Sequence, residues 1–124
     1  MKLKDSENPI LVKSKSFAIE IVKLVQYLRN EKKEYTLSDQ ILRSGTSIGA
    51  NCREGIHAAS KSDFYNKLNI ACKEAAETQY WLELLVETGY ISKISFATLY
   101  EKCSELVAIL VSITKTQKFH NSQS

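Results

Sequence analysis

The sequence predicts an all-α protein folded as an up-and-down antiparallel four-helix bundle. Three observations carry that prediction. Four long segments repeat apolar residues at a spacing of about 3.6. The breaks between them are short, which forces successive helices to run antiparallel. One proline and four glycines in 124 residues leave little from which to build hairpins.

The first helix is expected at about residues 10–31, opening at Pro9, a residue suited to a helix start. Its stripe is Phe17, Ile21, Leu24, Val25 and Leu28, widened by Ala18 and Val22. It fades in the charged run Arg29 to Glu34.

The second is expected at about 37–59, with Thr36 or Ser38 as its cap and Leu37, Ile41, Ile48, Cys52 and Ala59 on one face. Gly45, Gly49 and Gly55 lie inside it, each costing about 1 kcal/mol of helix stability against alanine. Close approach of a neighbouring helix would compensate; the alternative is a break near Gly45.

The third, about 61–88, opens on Ser60 and Asp63 at capping spacing and ends at Gly89. Its stripe is Phe64, Leu68, Ala71, Ala75, Thr78, Leu82 and Leu85. The fourth, about 93–117, steps 3-4-3-4-3 through Phe96, Leu99, Cys103, Leu106, Leu110 and Ile113, the seam of bundle helices packed near parallel. Val107 and Val111 add a second edge, and residues 118–124 are expected to fray.

Hydrophobic residues at 44% and charged residues at 25% place the chain among globular proteins rather than disordered ones. The length suits a single domain, 1–124. The start lacks a leader-like apolar stretch and no apolar run is long enough to span a bilayer, so a soluble, cytoplasmic protein without membrane association is expected. Cys52, Cys72 and Cys103 follow no metal-ligand spacing and fall in apolar patterns, reading as buried free thiols.

Two polar sets stand out. Arg43, Ser47, Asn51 and Glu54 fall within about 80° on the second helix; a solvated face explains them, and so does a surface that meets a partner. Lys67, Glu74 and Trp81 recur every seven residues on the third helix, with Glu77 further around. Such flanking positions set partner choice in packed helices. The charge is uneven: residues 1–33 carry eight Lys or Arg against four acids, whereas 34–124 carry nine against ten. Lys13, Lys15, Lys23, Arg29, Lys32 and Lys33, with Arg43 and Arg53, are therefore the candidate nucleic-acid contacts.

Catalysis has little to stand on. His57 and His120 are the only histidines, no His-x-x-x-His occurs, Glu-x-x-His occurs once, at Glu54–His57, where a di-metal bundle needs it twice, and Gly45-Thr46-Ser47-Ile48-Gly49 lacks the lysine of a phosphate loop. No enzyme activity, cofactor or metal is expected.

The run from Leu42 to Gly55, Leu-Arg-Ser-Gly-Thr-Ser-Ile-Gly-Ala-Asn-Cys-Arg-Glu-Gly, followed by Phe64, Lys67, Leu68, Ala71, Glu74, Glu77 and Tyr80-Trp81-Leu82, resembles the four-helix bundle family named for 23S rRNA intervening-sequence proteins. The likeness extends from about Phe17 to Lys115. It implies a homopentamer with no known enzymatic activity. Some relatives are encoded within inserted segments of large-subunit rRNA genes, and similar bundles serve as accessory subunits of reverse transcriptases. RNA or DNA, a reverse transcriptase and other copies of the chain are thus the expected partners. The alternative is a structural scaffold that binds another polypeptide.

Overall fold

The computed structural model describes residues 3–123, with side chains through residue 116. A 3-10 turn at Asp5–Glu7 precedes four helices among the described residues: α1 (Pro9–Glu31), α2 (Thr36–Ile56), α3 (Lys61–Glu87) and α4 (Lys93–Gln123). Each packs against its neighbour in sequence and α4 returns to α1, giving an all-α four-helix bundle. The α2–α3 interface is the most extensive and the α1–α4 interface the least.

Local chemistry sets most helix ends. Asn8 Oδ1 accepts from the Ile10 amide at 3.2 Å, with Pro9 next to it where a missing N–H costs nothing. Ser60 Oγ accepts from the Asp63 amide at 3.1 Å, and Ser92 Oγ accepts from the Ser95 amide at 3.1 Å. α3 stops at Gly89, whose φ of +82° is left-handed. The Gly89 amide donates to Val86 at 3.2 Å and that of Tyr90 to Leu85 at 2.8 Å, satisfying carbonyls the helix leaves open.

Four expectations are corrected. Neither Thr36 nor Ser38 caps α2: the Glu34 carboxylate accepts from the Ser38 amide at 2.8 Å, since an anion serves a helix start as well as a hydroxyl does. The α2 helix ends at Ile56 rather than near 59, because residues 57–60 must turn the chain and supply the cap of α3. His57 accordingly sits at the C-cap, not on a helical surface. The α4 helix continues through Gln123, with no proline or glycine from Lys93 onward to stop it.

α2 is unbroken at Gly45. A Cβ built there would lie 2.9 Å from both Cγ atoms of Ile21, so the backbones of α1 and α2 approach as closely as glycine allows. At Gly55 the same atom would stand 3.2 Å from the Lys67 Cβ and 3.3 Å from the Phe64 carbonyl of α3. Packing offsets the helix propensity that these glycines forfeit.

The core follows the sequence stripes except at Ala59, which lies beyond the end of α2 and is exposed. Phe17, Ile21 and Leu28 of α1, Ile41 and Ile48 of α2, Leu68, Leu82 and Leu85 of α3, and Leu106 and Leu110 of α4 are its largest fully buried apolar side chains. Cys52 and Cys103 are buried, and burial pushes both thiols up to about 12. Cys72 is half-buried rather than buried, because it flanks the stripe of Leu68, Ala71 and Ala75. None of the described helices is long and apolar enough to cross a membrane.

Candidate functional site

The polar residues singled out on α2 and α3 meet along one seam. Arg43 reaches across from the middle of α2, its Nη1 3.0 Å from Glu74 Oε2 and its Nη2 paired with Glu77 Oε1. Positions 74 and 77 lie on one side of α3 because residues three apart are neighbours on a helix, so one planar guanidinium spans both carboxylates. Trp81, one turn on, donates from Nε1 to Glu77 Oε1 at 3.2 Å, and its ring meets Tyr80 edge-on at 5.1 Å. Towards the other end, Lys67 Nζ stands 3.8 Å from Glu54 Oε1.

Ser47 and Asn51 lie between these pairs but do not reach α3. Ser47 Oγ donates to the Arg43 carbonyl at 2.6 Å and Asn51 Nδ2 to the Ser47 carbonyl at 2.8 Å, both within their own helix. The seam therefore consists of two cross-helix ion-pair groups separated by a polar, half-buried step. Glu74 is its most covered charge, with a side chain 20% exposed, whereas Glu54 is 59% exposed. Such an arrangement holds helices in register and offers hydrogen-bonding groups to a partner.

The basic candidates divide in two. Lys13 pairs with Glu105, Arg29 with Asp39 and Arg53 with Asp5 at 4.0 Å; Arg43 is held as described. Lys15, Lys23, Lys32 and Lys33 are exposed and have no carboxylate within 4.0 Å among the described residues. Lys32 caps the end of α1 and Lys33 turns the chain with a left-handed φ of 53°. The basic bias of the first 33 residues is thus partly cancelled by acids from other helices.

Several surface features escaped the sequence reading. Asp5 approaches His57, with Nε2 3.0 and 2.9 Å from its two carboxylate oxygens. On α1, Val12 and Ile19 are 46% and 49% exposed. They are seven residues apart, directly opposite the buried stripe, a spacing that marked them as a second apolar face. Of the expected extra edges, Val22 and Val111 are exposed, while Ala18 is half-buried and Val107 packs against the core. Neighbouring helices cover those two within a single chain. His120 falls outside the residues whose side chains are described, and no group of three His, Cys, Asp or Glu side chains suited to a metal occurs among the described residues.

Comparison with known proteins bears on the whole bundle. Residues 6–112 match the family described as 23S rRNA-intervening sequence protein. The fold is similar to the crystal structure of a protein with unknown function from the S23 ribosomal protein family of Bacteroides thetaiotaomicron VPI-5482, with a TM-score of 0.85 and 53% sequence identity over 86% of this chain and 98% of that one. No curated protein matches.

Proposed function

The chain belongs to the 23S rRNA-intervening sequence protein family, and we propose that it acts without catalysis, as a self-assembling bundle that presents a repeated surface. The single observation carrying this reading is the Val12–Ile19 face of α1, with Val22 beside it, apolar and exposed on the side turned away from the core. Exposed apolar residues scattered singly need no explanation, but a stripe aligned along one helix favours contact between chains. A closed ring is the arrangement this reading favours, since an open head-to-tail contact would build filaments; five members is the number the family resemblance suggests. The Arg43–Glu74–Glu77 seam then braces α2 against α3 within each bundle.

Light scattering coupled to size exclusion tests the proposal. A mass several times the 14.0 kDa of one chain supports it, and Ile19→Glu should return the protein to a monomer with its helical spectrum intact. A mass of one chain for the wild type at micromolar concentration overturns it.

A second reading, association with RNA or DNA, draws on Lys15, Lys32 and Lys33, cations that no described carboxylate neutralises. Repetition around a ring would multiply their weak phosphate contacts, and a bound reverse transcriptase would share that surface. Binding should then fall steeply with salt, by about 0.9 in the log–log slope per duplex phosphate contacted. Lys32→Glu with Lys33→Glu should weaken it at unchanged assembly mass. Failure of the wild type to retain RNA or DNA at about 50 mM salt, where screening is weak, removes this reading.

A further inference from the structure

We infer that the groove between α1 and the start of α4 binds a small amphiphilic anion, an apolar body carrying one carboxylate or sulfonate head. The groove lies where the bundle closes least completely and has a volume of about 510 Å³, within the range of small-molecule sites. Its floor is apolar: Leu24, Ile91 and Leu99 are core residues that keep 7–8% of their surface open. Tyr27 and Ile94 wall it, at 43% and 82% exposed.

Charge decides the head group. The lining contains two charged residues, Glu20 and Lys23. Both Glu20 oxygens already take Lys102 Nζ, at 2.8 and 2.7 Å. Lys23 has no carboxylate within 4.0 Å among the described residues, so the one uncompensated charge beside the apolar floor is a cation. Size decides against a docked helix. On the α1 side the lining runs from Glu20 to Tyr27, two turns or about 10 Å, enough for a bicyclic aromatic or a medium alkyl chain.

The test uses the full chain and two fluorescent probes of similar shape, anionic 8-anilinonaphthalene-1-sulfonate and neutral N-phenyl-1-naphthylamine. The wild type should bind both saturably, with octanoate displacing the sulfonate. Lys23→Gln should weaken the sulfonate about tenfold, the loss of one charge-assisted contact, and leave the neutral probe unchanged. Thr98→Trp, on the exposed rim, should abolish binding of both at unchanged melting and assembly mass. Equal sulfonate affinity in Lys23→Gln, or retained binding in Thr98→Trp, overturns the proposal. A change of assembly mass in Thr98→Trp also overturns it, since a second copy of the chain would then occupy the groove.

Discussion

Ser44 of α2 and Thr78 of α3 meet hydroxyl to hydroxyl at 2.9 Å, both fully buried, in the part of the α2–α3 interface that faces the core. Thr78 Oγ1 also donates to the Glu74 carbonyl at 2.8 Å, which leaves its lone pairs to accept from Ser44. The pair lies one turn from the Arg43–Glu74 contact, so the polar seam has a buried rung beneath its exposed one.

Removing Thr78 alone should cost more than removing both hydroxyls, since Thr78 keeps the Glu74 carbonyl as a partner without Ser44 whereas Ser44 has no other. Thr78→Val strands the Ser44 hydroxyl and should lower stability by about 1–3 kcal/mol, whereas Ser44→Ala with Thr78→Val leaves no orphan. Urea unfolding of both single variants and the double variant checks this; strictly additive losses would contradict it.

Gly45→Ala should destabilise the bundle although alanine favours helix. Its Cβ would press on Ile21 at 2.9 Å, and overpacking of that kind costs about 1–3 kcal/mol, against about 1 kcal/mol of restored propensity. Gly89→Ala should also lose stability, by a different route: nothing lies within 4 Å, but its φ of +82° strains any side chain. A melting midpoint at or above that of the wild type for either variant would refute the assignment.

The two raised thiols give a pH dependence. Below pH 9.0, the ordinary thiol value, Cys52 and Cys103 are protonated both folded and unfolded and contribute no slope. Between 9.0 and about 12 the unfolded chain holds fewer protons there, so stability falls as pH rises, by up to about 1.4 kcal/mol per pH unit per thiol. Cys52→Ala with Cys103→Ala should flatten that slope in unfolding titrations. In native alkylation at neutral pH, mass spectrometry should find the half-buried Cys72 modified first; equal labelling of all three would count against the burial described.

Along the seam, the two glutamates should differ. Glu54→Ala removes an exposed contact of 3.8 Å and should shift stability by no more than about 0.5 kcal/mol. Glu74→Ala removes the more covered partner of Arg43 and should cost about 1 kcal/mol, read from the same denaturation curves. Equal losses would mean that coverage does not set the strength of these pairs.

The apolar period located four helices because burial on one side imposes it residue by residue along each chain segment, and Ser60 and Gly89 were legible as punctuation because they act within one turn. The residues of the seam were legible as well: Arg43 and Glu74 stood out by type and spacing. Their pairing was not, for they are 31 residues apart and whether they touch depends on how α2 and α3 rotate against each other. The same dependence hid which cations are neutralised. Lys13 finds Glu105 and Lys102 finds Glu20 only because α4 folds back antiparallel beside α1, while Lys23 on the same helix finds no described acid. Sequence by itself determined where the helices run and which face of each is buried, since both follow from contacts within a few residues. Tertiary structure alone decided which charges cancel, that Gly45 sits against Ile21, and that α1 and α4 part enough to leave a groove, since those depend on distances between residues far apart in the chain.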